Sequence, residues 1–297
     1  MKALFEGCAT ALITPFRGGE VDYPALDALV ERQIEAGIDA LVAAGTTGEP
    51  ATMTWEEHLN VIRRVVEVAN HRVPVIAGTG SNSTSEAVHA AHMSEEFGAD
   101  AQLVVTPYYN KTSQEGLVAH FNAVADAATL PVIVYNVPSR TGINIGPWAL
   151  EQICRHPKVV AVKEASSDVG QALDKLRLVG DNAVFYSGND DLIVPTMACG
   201  FRGVISVLSN LMPAETVEMA HAALDGDFAK AAGLQMKLLP LINALFCETS
   251  PIPVKAAMAR MGWCDEELRL PLVPMQPKNR EKMFALMDEL GLRGEAQ

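Results

Sequence analysis

Ala36-Gly37-Ile38-Asp39-Ala40 and Phe97-Gly98-Ala99-Asp100-Ala101 repeat one pattern: the end of a helix, a glycine, an apolar residue, an aspartate and the first residue of a strand. Glycine past the last helical turn closes the helix in a backbone conformation that other residues resist. The recurrence therefore predicts serial βα units. Outward from these turns, short apolar runs mark strands near 8–13 (CATALI), 39–44 (DALVAA), 74–78 (PVIAG), 101–106 (AQLVVT), 131–135 (PVIVY), 159–163 (VVAVK), 183–187 (AVFYS) and 203–207 (GVISV). Most are apolar on successive positions, as strands covered on both faces must be. Eight such runs predict an α/β chain folded as a (β/α)8 TIM barrel with a C-terminal helical extension. The competing fold is a doubly wound nucleotide-binding sheet. Gly78-Thr79-Gly80 follows a strand but does not continue into a dinucleotide pattern, and the sequence carries no Walker motif.

Helix signals agree with this partition. Ser83 and Glu86 read as a capping box opening a helix over 84–97, and Thr54 as the cap of a helix running to about 69. Beyond 213 the chain reads as helices at 214–224, 228–246, 251–260, 265–270 and 279–290, separated by proline-rich turns. The expected division is 1–224 for the barrel and 225–297 for a helical region packed on it. Glu281-Lys282 and Asp288-Glu289 read as solvated helix faces.

With 297 residues, 49% of them apolar and 20% charged, the chain can bury a substantial core. A net charge of −13 argues against a nucleic-acid partner, whose phosphates are held by Lys and Arg. Cysteines 8, 154, 199, 247 and 264 are widely spaced and form no Cys-x2-Cys pair, so the expectation is reduced, mostly packed thiols and no metal site. No signal-type apolar stretch opens the sequence and no run approaches 18 apolar residues, so a soluble cytoplasmic protein with no membrane partner is expected.

Chemistry concentrates at strand ends. Lys163 terminates Val159-Val160-Ala161-Val162-Lys163, which in a barrel puts its amine at the mouth, where desolvation can free the neutral, nucleophilic form. Tyr135 ends the preceding strand, within reach for proton transfer. Thr46 and Thr47 lie in a glycine-flanked turn after the second strand. Arg140 follows Tyr135 through a proline-containing loop, and its planar fork suits a carboxylate. Judged alone, Trp55 and His58 read as ordinary packed helix residues.

Taken together, Gly45-Thr46-Thr47-Gly48-Glu49, Tyr108-Tyr109-Asn110, Tyr135-Asn136-Val137-Pro138-Ser139-Arg140-Thr141-Gly142, Val162-Lys163-Glu164 and Gly188-Asn189-Asp190 resemble the dihydrodipicolinate synthase family of pyruvate-dependent class I aldolases and lyases, essentially end to end. The resemblance implies condensation of pyruvate with L-aspartate 4-semialdehyde on the diaminopimelate route to lysine. It implies a covalent pyruvate Schiff base on Lys163, with no metal or organic cofactor. Tyr135, Thr46 and Tyr109 are expected to relay protons, Tyr109 from a neighbouring subunit. Thr46 and Thr47 are expected to orient the pyruvate carboxylate, Arg140 to hold that of the semialdehyde, and Gly188 and Ile205 to line the pocket. Pro50, Ala51, Trp55, His58, Asn82, Glu86 and Tyr108 match an allosteric pocket where lysine would inhibit. Pro50 departs from a Ser common in bacterial relatives, and Trp55 from a His found in some, which leaves the strength of that inhibition open. A homotetramer built as a dimer of dimers is also implied. The nearest alternatives are N-acetylneuraminate lyases and 2-keto-3-deoxy sugar acid aldolases, which share the Lys and Tyr logic. The Pro138–Gly142 loop and the Tyr108-Tyr109 pair favour the synthase, and a catalytically silent barrel would not need the intact set.

Overall fold

The computed structural model describes residues 3–294. Among them, eight parallel strands close into a barrel: β1 (Gly7–Ala11), β2 (Ala40–Ala43), β3 (Val75–Gly78), β4 (Ala101–Val105), β5 (Val132–Asn136), β6 (Val159–Glu164), β7 (Val184–Ser187) and β8 (Gly203–Ser206). Each strand pairs with the next, and β1 closes the ring by pairing with both β2 and β8. The eight apolar runs are these eight strands, with ends displaced by one or two residues. The seam is tight: a Cβ at Gly203 would lie 2.0 Å from the Gly7 carbonyl oxygen, so only glycine lets β8 approach β1 there.

Alternate residues of every strand enter two different cores, which is why the runs lack polar alternation. Ala9, Val42, Ile76, Leu103, Ile133, Ala161, Tyr186 and Ile205 fill the barrel interior. Cys8, Leu41, Val104, Val134, Val162, Phe185 and Val204 face the surrounding helices. Inside, Tyr186 stacks on Phe5 at 4.2 Å and its hydroxyl donates to the Phe5 carbonyl, so the polar end of a buried ring is satisfied.

The helix signals were unequal in outcome. At Thr54 the full capping box forms: the hydroxyl accepts from the Glu57 N–H, and the Glu57 carboxylate accepts from the Thr54 N–H. At Ser83 the expected box does not form. The helix still starts at Thr84, but the Ser83 hydroxyl meets that of Ser85, while Ser81 Oγ donates to Glu86 and accepts from the Ser83 N–H. Ser81 Oγ takes the Ser83 N–H that the Glu86 carboxylate was expected to accept, and holds that carboxylate itself. A small antiparallel hairpin, Phe16–Arg17 with Glu20–Val21, was not anticipated.

Helices at Pro213–Leu224, Phe228–Leu245, Ile252–Arg260 and Pro277–Glu289 follow the expectation closely. The expected helix at 265–270 is absent. Its charged residues are committed elsewhere: Asp265 to Arg17, Glu266 to Arg280, Glu267 to the N–H groups of Gly18 and Gly19, and Arg269 to Glu57. Partners in several directions hold the segment extended, and Pro271 disfavours helix in the residue before it. Of the five thiols, Cys8, Cys154 and Cys264 are buried and free, while Cys199 and Cys247 are exposed. No described helix is long and apolar enough to cross a membrane.

One buried ion pair ties the barrel mouth to the C-terminal helices. Lys255 Nζ lies 2.6 Å from Glu49 Oε1, both side chains being almost wholly buried, and also donates to the Glu267 carbonyl. Glu49 adopts φ 58°, a left-handed conformation that costs a non-glycine residue about 1–3 kcal/mol and needs enforcing. Removing one partner leaves the other charge buried alone. Lys255→Met is therefore expected to lower unfolding free energy by about 3–5 kcal/mol, and the Glu49→Gln/Lys255→Met pair to recover most of that loss in urea melts.

Candidate active site

Lys163 and Tyr135 are neighbours in register on β6 and β5. Both are buried, and Lys163 Nζ sits 4.4 Å from the centre of the Tyr135 ring. Burial lowers the amine to about 8; the carboxylate of Asp190 works against this and the Arg140 charge adds to it. At that value about half the lysine is neutral at pH 8, where an ordinary lysine would be almost entirely charged. Burial pushes the Tyr135 phenol up, opposed by Arg140 and the Thr46 side chain, so it stays protonated at neutral pH and can pass on a proton.

The residues just past these two fasten their strands together. Glu164 is buried and receives the Lys175 ammonium at 2.8 Å, the Asn136 amide at 2.9 Å and the Ser166 N–H at 2.9 Å. Asn136 and Glu164 are themselves paired in register, so this network fixes the ends of β5 and β6 beside the amine. Gly188 leaves room for it: a Cβ there would stand 2.7 Å from the Ala165 Cβ and 3.0 Å from Lys163 Cε.

A cleft of about 570 Å³ opens above the strand ends, lined by Tyr135, Arg140, Gly188, Asp190, Glu248 and Ser250 among others. Arg140 lies on the turn Pro138–Thr141 and donates one N–H to the Ser250 carbonyl at 2.9 Å, which holds the fork while leaving other donors for a ligand. Thr46 and Thr47 form a tight turn after β2, with Thr47 buried. Thr46 and Arg140 also line a more apolar neighbouring cleft of about 320 Å³. Ile205 is buried in the barrel interior. Tyr109 stands apart: it is 90% exposed, has φ 69° and lines neither cleft.

A separate hollow of about 180 Å³ gathers Pro50, Ala51, Trp55, His58, Glu86 and Tyr108. His58 Nε2 donates to the Gly78 carbonyl at 2.8 Å, and burial lowers its pKa, so the ring is neutral. Trp55 stacks against His89. Asn82 is not in this lining; its carbonyl accepts from the Asn110 side chain.

Sequence reading missed three contributors here: Asp190 as a charge acting on Lys163, Lys175 as the partner of Glu164, and Lys255 as the partner of Glu49. Only Asp190 had a signal, its place in Gly188-Asn189-Asp190. The two lysines lie on helices with nothing local to mark them.

A closed parallel barrel with a depressed lysine amine at its carboxyl end, a phenol beside it and an arginine across the cleft defines the imine-forming class of aldolase barrels. Residues 4–290 match the model of the dihydrodipicolinate synthetase family. The 4-hydroxy-tetrahydrodipicolinate synthase of Geobacter metallireducens is 49% identical over 97% of this chain and 100% of its own length. The dihydrodipicolinate synthase of Acinetobacter baumannii in complex with pyruvate is 41% identical, with a TM-score of 0.95 over 97% of this chain and 99% of that one. That of Cyanidioschyzon merolae with lysine bound is 40% identical, with a TM-score of 0.94 over 98% and 100%. The chain belongs to the dihydrodipicolinate synthetase family.

Because only the neutral amine attacks a ketone, and because its pKa is lowered to about 8, kcat/KM for pyruvate should rise as pH increases through about 8 and level off above it. Initial rates across pH 6 to 10 at limiting pyruvate check this; an acid limb centred near the ordinary lysine value would contradict it.

Proposed function

We propose that this chain condenses pyruvate with L-aspartate 4-semialdehyde to give 4-hydroxy-tetrahydrodipicolinate. The observation carrying this reading is the buried Lys163 amine, lowered to about 8 beside Tyr135, in a member of this family. Neutral Lys163 adds to the keto carbon; loss of water gives an iminium; loss of a methyl proton gives an enamine, whose carbon attacks the aldehyde. The amino group of the former semialdehyde then adds to the imine carbon, closing the ring, and the Lys163 amine leaves as the C–N bond to it breaks. Tyr135 and Thr46 pass protons, a role supported by the influence of the Thr46 side chain on the Tyr135 phenol. Thr47 orients the pyruvate carboxylate with Thr46. Arg140 takes the carboxylate of the semialdehyde through donors not used on Ser250. Gly188 and Ile205 bound the reacting centre.

Tyr109 serves the site of a second subunit. Its near-complete exposure in a left-handed backbone position supports that reading, since a large aromatic ring gains little from water. We read the assembly as a homotetramer formed from two dimers, the barrel as residues 1–224 with the helical region at 225–297, and the location as cytoplasmic.

The 180 Å³ hollow is read as a site for lysine acting as inhibitor. Glu86 offers a carboxylate to an ammonium group, and the apolar walls of Trp55, Pro50 and Ala51, with Tyr108 and His58, suit an aliphatic stem. Asn82 joins from the adjoining turn.

Borohydride added with pyruvate should leave a reduced adduct on Lys163, found by peptide mass spectrometry, and Lys163→Ala should lose both adduct and turnover. Active enzyme carrying no adduct would remove the Schiff-base reading. Titration with lysine should give saturable heat and a matching fall in condensation rate at millimolar ligand. Heat without inhibition would leave a binding site and no regulation.

A further inference from the structure

Asp190 lies three residues beyond β7 and is completely buried. Its Oδ2 accepts from the N–H groups of Val207 at 3.0 Å and Leu208 at 2.8 Å, just past β8. Its Oδ1 is also buried and meets no donor within hydrogen-bond distance. Yet Asp190 is one of the residues around the cleft that Tyr135, Arg140 and Gly188 line, and Gly188, two residues earlier, lies so close to the Lys163 side chain that a Cβ there would stand 3.0 Å from Lys163 Cε. A buried carboxylate oxygen with no donor is costly and calls for an explanation. The chemistry at Lys163 offers one.

In the carbinolamine, the nitrogen bears one hydrogen and a lone pair. The C–O bond breaks, the oxygen leaves as water with a proton delivered through the hydroxyl relay, and the lone pair becomes the second C–N bond. One positive charge then sits on an N–H nitrogen out of water. Loss of a methyl proton sends the π pair back to nitrogen and ends the charge. The burial that makes the free amine nucleophilic therefore penalises the next intermediate. We propose that Asp190 is the countercharge for the cationic imine at Lys163, offsetting the positive charge that the nitrogen carries between loss of water and formation of the enamine. The inference rests on the Schiff-base reading of Lys163.

The surrounding charges fit this role. Asp190 raises the Lys163 amine while Arg140 lowers it. Burial pushes the Asp190 carboxyl up, opposed by the Ser206 hydroxyl, the two N–H donors and Lys163. The Tyr135 phenol, which burial keeps protonated, and the Tyr186 phenol, which is bound to the Phe5 carbonyl, stand in register beside Lys163, and Asp191 and Glu248 line the same cleft.

Asp190→Asn keeps an acceptor oxygen for Val207 and Leu208 and removes the charge. Wild-type protein is first reduced with borohydride in the presence of pyruvate; a missing Lys163 adduct at this stage overturns the Schiff-base reading, whatever Asp190 does. With that adduct in hand, Asp190→Asn should lower the trapped fraction and reduce kcat by about tenfold or more. The acid limb of kcat/KM for pyruvate should move down by about one pH unit, since the amine loses a partner that favoured its charged form. Folded Asp190→Asn with trapping, kcat and acid limb all unchanged overturns the proposal. If this variant fails to fold by circular dichroism, Ser206→Ala takes its place. Removing a hydroxyl that supports the carboxylate charge should shift the acid limb the same way by a smaller amount, and an unmoved limb overturns the proposal.

Discussion

An amine kept out of water must be neutral to attack a ketone and cationic a step later; most of what surrounds Lys163 can be understood as meeting that double demand. Burial, helped by the Arg140 charge, meets the first half by lowering the amine to about 8. The countercharge proposed for Asp190 would meet the second, and an excess of it would return the amine to its ordinary protonated state. Asp190 and Arg140 act on Lys163 in opposite senses, the first favouring its charged form and the second opposing it. The barrel makes this arrangement cheap in conformational freedom. Lys163 and Tyr135 are held by adjacent strands in register, and Asn136 and Glu164, one residue further on, lock those strands to each other and to Lys175.

The C-terminal region contributes polar groups to the mouth. Ser250 supplies the carbonyl that steadies Arg140, and Lys255 neutralises Glu49 at the end of the Thr46-Thr47-Gly48 turn. Arg269 then bonds Glu57, the residue that completes the capping box at Thr54, and donates to the Thr52 carbonyl. The same short stretch from Thr46 to His58 thus carries groups facing two clefts, and both sides of it are held by residues 255–269. Pro50 and Ala51 line both the 180 Å³ hollow and the cleft beside Thr46.

Local sequence determined a good deal. Successive apolar residues in eight short runs mark strands buried on both sides, because a strand inside a barrel has no face left for water. Glycine after a helix and Thr54 as a helix cap act within one turn of chain and could be read directly. Lys163, Tyr135 and Arg140 were legible because they end strands or follow them, where a barrel collects its chemistry.

Tertiary structure decided whatever depended on a distant partner. Ser81 rather than Ser83 engages Glu86, residues 265–270 stay extended because their charges pair in several directions, and Glu49 holds a left-handed conformation under the grip of Lys255, 206 positions away. No periodicity carries such information. An ion pair or an orphaned carboxylate oxygen is defined by which groups meet away from water, and a chain states its residues in order without stating which of them will meet.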